Sequence, residues 1–394
     1  MVVARDGSSS PLEESNGTTI PLSNLSYDSF VNVDRGDPVG FRKFWEKLSE
    51  EAKVEIKGDE VMSYFGDKNL CWYMLPQMRN AILRLHKVVG NANTEDKYIV
   101  LGTGSSHLYL SLLYALSSQK PSHIPFNVVA AAPHYSEYEG PVNILQSKLF
   151  QWSGDASVYD KDEPYIELVT SPNNPDGTIR TPVVKSDAEG NVVYDLAYYW
   201  PQYTPINHEL NQDIMLFTFS KCTGHAGSRI GWALVKDIEI AKKMVLFLHL
   251  SSIGVSKESQ VRAAKIIEVI CDGHENSKST PSDRLFFEYS KEMMKERWEK
   301  LKAAVEQSKV FTLPKYPSAY CHFTKEISEQ YPAFAWLKSV EGIEDAESYL
   351  EKLKILTRGG KQFGVDAAYV RISMIGTDDE FIELCTRLEN AKIE

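Results

Sequence analysis

The sequence predicts an α/β protein with a largely parallel sheet flanked by helices, together with a smaller α+β unit. Three observations lead there. Short β-branched runs recur without polar alternation: "KYIVLG" (97–102), "NVVAAAP" (127–133), "YIELVTSP" (165–172), "NVVYD" (191–195), "DIMLFTFS" (213–220) and "RIGWALV" (229–235). Such runs are what strands covered on both faces produce. Segments of helical composition, such as "HLYLSLLYALSS", stand between several of them, as in a layered α/β domain. Each run also ends in a loop of small, polar or charged residues, where open α/β sheets bind their ligands.

Taken in order, residues 1–28 are rich in Ser, Asn, Pro and Glu and are expected to form a mobile arm. "FRKFWEKLSEEAK" (41–53) reads as an amphipathic helix, with Phe41, Phe44, Trp45 and Leu48 on one stripe. The strand-and-helix rhythm follows. From about residue 240 the chain turns helical in "SKESQVRAAKIIEVI" and "YSKEMMKERWEKLKAAVEQS", and the remainder reads as a mixed α+β unit. The expected division is a large domain over 55–300 and a small domain built from 29–54 and 301–394.

Composition narrows the function. The chain has 394 residues, 43% hydrophobic and 25% charged, which is ordinary for a soluble globular protein. A net charge of −11 argues against a nucleic-acid binder, because neutralising phosphates requires clustered Lys and Arg. Five cysteines lie far apart with no CxxC pair, so reduced thiols are expected and neither a disulfide framework nor a metal site. "MVLFLHL" near residue 247 is too short to span a bilayer, and the first residues lack the apolar segment of a signal peptide. The expectation is a cytoplasmic protein, off the membrane.

The loops carry the chemistry. "LGTGSSH" (101–107) joins a strand to a helix; its glycines and the helix start, with Ser105 and Ser106, suit an anion. Alone, it is equally a tight turn capped by serine. "TSPNNPDGT" (170–178) is stiffened by Pro172 and Pro175 and can aim the Asn174 amide into a cleft, or it is a surface turn. Asp195 ends a strand with Tyr198 three residues on; a buried carboxylate there needs a cation or donor, unless it merely caps the turn. Lys221 follows the apolar "DIMLF", and Arg229 comes eight residues later. A lysine at a strand end beside a second cation has a lowered pKa, and its neutral amine can condense with an aldehyde. Singly, Lys221 could be a snorkelling surface lysine and Arg229 a structural ion pair. Their ordered combination matches pyridoxal 5'-phosphate, which needs a phosphate cradle, an anion for its ring nitrogen, donors to its ring oxygen and a lysine.

That order of "GTGS", "NNPDG", Asp195-x-x-Tyr198, "SK" and Arg229 resembles the fold-type I aminotransferases. The strings "NLCWYMLP", "SPNNPDGT", "AYYWPQYTPI", "LFTFSKCTGHAGSRIGWALVKD" and "VRISMIG" are similar, from about residue 30 onward, to the plant tryptophan aminotransferase-related proteins of the alliinase-like branch. The resemblance implies that Lys221 bonds the cofactor and moves the substrate Cα proton. Asp195 would face the ring nitrogen, and Tyr198 and Asn174 the ring oxygen. Ser105, Ser106, His107, Thr218 and Arg229 would hold the phosphate, with Leu196, Ala197, Phe219 and Ser220 in the same cofactor-binding set. Tyr64 in "MSYF" would reach a cofactor phosphate across a dimer interface. Arg371 in "YVRISM" would clamp the substrate α-carboxylate, and Gly36 in "DRGDP" would lie in a loop that closes over substrate. His107 departs from the glutamine of the tryptophan enzymes.

The resemblance thus implies a homodimer, small amino-acid and keto-acid substrates, and transfer of the amino group of L-tryptophan to pyruvate in auxin (indole-3-acetic acid) synthesis. An alliinase-like C–S lyase, a broad aromatic aminotransferase and a catalytically idle cofactor-binding paralogue are the alternatives. For an aromatic pocket the candidates are Trp152, Trp200, Trp336 and Phe334, each equally suited to core packing.

Overall fold

The computed structural model describes residues 30–118 and 124–392, so the arm expected over 1–28 lies outside the described residues. The chain enters through β1 (Val31–Asn32), a 3-10 turn at Val39–Phe41 and the helix Arg42–Lys47. That helix is shorter than the stripe over 41–53 suggests: Phe41, Phe44 and Leu48 are buried as expected, but turns take over at Leu48.

The centre is a seven-stranded sheet of β2 (Tyr98–Gly102), β3 (Phe126–Ala130), β4 (Phe150–Asp155), β5 (Tyr165–Thr170), β6 (Gly190–Asp195), β7 (Ile214–Thr218) and β8 (Gly231–Val235). Its order is β2-β8-β7-β6-β5-β3-β4. The neighbours from β7 to β4 pair parallel, and β8 alone runs antiparallel to both its partners. The apolar runs appear where the sequence placed them. β4 was not anticipated, and the reason is physical: "FQWSGD" is an edge strand with only Phe150 buried, so no continuous apolar run marks it.

Strands β7 and β8, which lead to Lys221 and away from Arg229, are locked by an aromatic core. Trp232 stacks on Phe217 with ring centroids 5.8 Å apart, and its Nε1–H donates to His86 Nε2 at 2.9 Å. Both rings are fully buried, each contributing about 2–3 kcal/mol relative to exposure. Burial drives His86 down to about 4, so at neutral pH it is an uncharged acceptor.

A second sheet closes the cleft. After β9 (Phe311–Thr312), β10 (Ala319–Cys321) and β11 (Glu326–Ser328) form a hairpin, followed by β12 (Phe334–Ser339), β13 (Ile355–Leu356), β14 (Arg358–Gly359) and β15 (Tyr369–Ser373). Strands β14-β15-β12-β9 make an antiparallel four-stranded sheet. The N-terminal segment joins this part: β1 pairs parallel with β13, and the Ser373 N–H donates to Val33 O at 2.8 Å. That pairing carries Asp34 and Gly36 to the strand bearing Arg371. The long helix Phe286–Ser308 runs through residue 300, where a boundary was expected; its buried Arg297 donates to Met374 O and Gly376 O at 2.8 and 2.9 Å. Among the described residues no helix is long and apolar enough to cross a membrane.

Candidate active site

One cavity of about 440 Å³ gathers the strand-end loops, lined by Gly36, Ser105, Ser106, Asn174, Asp195, Tyr198, Lys221, Phe334 and Arg371 among others. Its residues come from opposite ends of the chain because parallel strands deliver their carboxyl ends to one edge, while β15 and the N-terminal segment approach that edge from the second sheet.

Ser105 and Ser106 open the 14-residue helix Gly104–Ser117, directly after β2. The first N–H groups of a helix have no intrahelical partner, and the dipole favours an anion. Two glycines make the approach possible. A Cβ at Gly231 would lie 2.8 Å from Gly104 C and Ser105 N, so β8 touches this loop backbone to backbone. Gly104 adopts φ +78°, and a Cβ there would sit 2.4 Å from an Arg229 guanidinium nitrogen. Arg229, itself left-handed at φ +51°, is thus folded over the loop, its Nη1 donating to Ala226 O at 3.1 Å. A cation behind the loop, the helix start and two serines facing the cavity make a set that suits a phosphate.

Asp195 ends β6. Its Oδ2 accepts from the Tyr138 hydroxyl at 2.9 Å and its Oδ1 from the Ala197 N–H at 3.2 Å. Burial raises its pKa, opposed by those two bonds. Among the described residues no Lys or Arg is paired with it. A buried carboxylate held by donors yet lacking a cation suits a protonated ring nitrogen.

Lys221 lies in the short helix Phe219–Thr223, begun by Thr218, whose Oγ1 accepts from Ser220 N–H at 3.3 Å. Its Nζ donates to the Gly36 carbonyl oxygen. Burial, then the nearby Arg371 and Arg229, push the amine down to about 8, with Asp37 opposing. The expectation of a lowered pKa holds, although burial contributes more than the neighbouring cation.

Arg371 on β15 is 2% exposed. Nη1 donates to Asn174 Oδ1 at 3.1 Å and Nη2 to Asp34 O, while its buried Nε has no partner. The guanidinium lies 4.1 Å from the centre of the Phe334 ring. Burial, and then Arg358, lower it to about 10. A buried arginine N–H without a partner, on a residue that lines a cleft, fits a bound carboxylate. Asn174 also donates to Tyr198 Oη at 3.4 Å, and Tyr198 packs edge-on against Phe334.

Other expected residues lie elsewhere. Leu196 and Phe219 are fully buried packing groups, and Ala197 acts through its N–H on Asp195. Thr218 and Ser220 shape the turn before Lys221. His107 does not line the cavity: its Nε2 meets Ser251 Oγ at 2.8 Å, and burial lowers its pKa. Tyr64 is 66% exposed beside exposed Met62 and Phe65, away from this cavity. Of the aromatic candidates, Phe334 lines the cavity; Trp152, Trp200 and Trp336 do not.

The cavity also holds residues that the sequence reading missed: Tyr109, Tyr135, Glu137, Tyr138, Pro141 and Arg358. Tyr135, Glu137 and Tyr138 come from "PHYSEYEG", the segment after β3, and Pro141 directly follows it. The rule that ligands sit beyond strand ends would have flagged it. Arg358 had no such signal, being one charged residue on a two-residue strand.

Together these groups fit pyridoxal 5'-phosphate: a phosphate cradle, a carboxylate for the ring nitrogen, donors near the ring oxygen, and a lysine with a depressed pKa. Comparisons agree. A family described as Allinase matches residues 31–392. The chain is 48% identical to tryptophan aminotransferase-related protein 2 of Oryza sativa subsp. japonica, covering 93% of this chain and 75% of the relative. It is 50% identical to the protein of that name from Arabidopsis thaliana, covering 90% and 80%. An alliin lyase of Allium cepa var. aggregatum is 35% identical over 90% of this chain and 80% of its own. Among solved structures, YbdL of Escherichia coli, reported as a methionine aminotransferase, has a TM-score of 0.66 at 12% identity, covering 95% and 100%. Aspartate aminotransferase of Thermus thermophilus with maleate has 0.61 at 15%, covering 92% and 91%. The resemblance read from the sequence is borne out: this chain belongs to the allinase family, within the fold-type I pyridoxal 5'-phosphate enzymes.

Proposed function

We propose that this protein transfers the amino group of L-tryptophan to pyruvate, giving indole-3-pyruvate and L-alanine, as a cytoplasmic homodimer serving auxin synthesis. The observation that carries the transaminase reading is the pairing, in one cavity, of the Lys221 amine with an Arg371 whose Nε is unpartnered. Arg371 would take the α-carboxylate, its fork already aimed by Asn174, and so fix the Cα–H bond for cleavage. Lys221, with a pKa near 8, would take and return the Cα proton near neutral pH.

Pyridoxal 5'-phosphate, when bound, supplies the electron sink that acidifies the Cα–H bond. Asp195, oriented by Tyr138, would keep the ring nitrogen charged. Ser105, Ser106 and Arg229 would hold the phosphate, and Tyr198 with Asn174 the ring oxygen. Gly36 would close the N-terminal segment over the amine, and the exposed Tyr64 would meet the partner copy. The composite small domain remains part of this proposal, supported by the β1–β13 pairing, with the large domain over 55–300 ending inside the helix Phe286–Ser308.

The alliin lyase relatives support a second reading, β-elimination from a cysteine sulfoxide. One assay separates the two. Purified protein loaded with cofactor, given tryptophan and pyruvate, should form alanine and indole-3-pyruvate in equal amounts. Release of pyruvate and ammonia from an S-alkyl cysteine sulfoxide, without a keto acceptor, would instead establish the lyase.

A further inference from the structure

The cavity holds two arginines, and they are cross-strand partners. Strand β14 pairs antiparallel with β15 with Arg358 directly opposite Arg371, and both line the cavity. Directly opposed residues of adjacent strands share a sheet face, and two like charges in that position repel. Two carboxylates reconcile them. Asp34 Oδ1 lies 2.6 Å from Arg358 Nε and 3.9 Å from Arg371 Nη2. Glu137 Oε1, from the loop after β3, lies 2.6 Å from Arg358 Nη1, which also donates to Ser136 Oγ at 2.8 Å.

The two guanidiniums therefore stand in different states. Arg371 retains a buried Nε with no partner. Arg358 has Nε and Nη1 committed to carboxylates, and Nη2 directed at Asp34 Oδ2 at 3.5 Å. Without Glu137, a substrate anchored at Arg371 by one carboxylate would find a second cation beside it, suited to another. With Glu137 in place, an incoming carboxylate must displace an existing charge-assisted pair, and it approaches a residual negative charge.

We propose that Glu137, together with Asp34, masks Arg358 and thereby restricts the cavity to amino and keto acids bearing a single carboxylate. Glu137 is a specificity-determining residue, and its removal converts Arg358 into a subsite for a second carboxylate. The inference rests on the reading of Arg371 as the clamp of the α-carboxylate.

The test uses the cofactor-loaded protein and its Glu137→Ala and Glu137→Gln variants. Calorimetric titration with propionate, succinate and glutarate measures how much a second carboxylate adds. In the wild type, the dicarboxylates should bind no more tightly than propionate. In both variants, the affinity ratio of the better dicarboxylate to propionate should rise about tenfold or more, the scale of one charge-assisted hydrogen bond gained. A ratio unchanged or lowered in both variants overturns the proposal, as does a wild type that already prefers dicarboxylates. Loss of all binding in both variants also overturns it, since Glu137 would then build the site rather than mask part of it. Failure of the underlying reading looks different: Arg371→Lys would leave propionate affinity unchanged.

Discussion

The amine of Lys221 donates to the carbonyl oxygen of Gly36, across 185 positions of sequence. This bond ties the reactive centre to the N-terminal segment, which β1 anchors to β13. Phe334 fills the other side of Gly36: a Cβ there would lie 3.0 Å from Phe334 Cζ and 3.2 Å from Lys221 Nζ. The Gly36 segment, the amine and the ring against the Arg371 guanidinium therefore pack as one unit. A methyl group at position 36 would force Phe334 or the Lys221 amine to shift by a few tenths of an ångström.

Gly36→Ala should accordingly lower kcat by about tenfold, because a small displacement of a reacting group is costly. Cofactor content should stay at the wild-type level. Steady-state kinetics combined with the absorbance of bound cofactor reads both.

The depressed pKa of Lys221 has a definite sign. The amine condenses with an aldehyde only when neutral, and burial with Arg371 and Arg229 lowers its pKa to about 8. The rate of cofactor uptake by the apoprotein should therefore rise with pH and reach half its plateau near 8. A midpoint near the ordinary lysine value of about 10.4 would remove the electrostatic account. Stopped-flow absorbance over a pH series measures it.

Arg371→Lys keeps a positive charge but loses the planar fork. KM for the amino acid should rise about 10- to 100-fold, from one or two charge-assisted hydrogen bonds of about 1.5–3 kcal/mol each. Cofactor affinity should change little, because the arginine contacts Asn174 and Asp34 rather than the loop of Ser105 and Ser106. Initial rates across a substrate series check the first effect, and dialysis the second.

Arg229→Ala acts outside the cavity lining, behind the loop that carries Ser105 and Ser106. Its guanidinium lies over Gly104 at the start of the helix Gly104–Ser117, so its loss should raise the dissociation constant for pyridoxal 5'-phosphate about tenfold or more. Turnover should return at saturating cofactor. Equilibrium dialysis across a cofactor titration distinguishes this from a general loss of fold.

Much of this was legible in the sequence, because local chemistry repeats where strands end. The apolar runs located six of the seven central strands, and Asp195 and Lys221 stood at or just beyond the ends of two of them. Edge strand β4 was silent because solvent takes the place of a covering layer on most of its residues. Arg358, Asp34 and Glu137 were silent for another reason. None stands in an apolar pattern; the pairing of β14 with β15 and of β1 with β13 brings Arg358 and Asp34 together, and the segment after β3 brings Glu137 from the central sheet. His107 sat in the correct loop, but helical geometry turns its ring to Ser251.

The central claim is that Lys221 performs the proton transfer of a transaminase. Cofactor-loaded wild type and Lys221→Ala should be incubated with L-tryptophan and pyruvate, and alanine and indole-3-pyruvate followed over time. The account predicts equal amounts of both products from the wild type and no multiple turnover from Lys221→Ala. Sustained alanine formation by Lys221→Ala would contradict it.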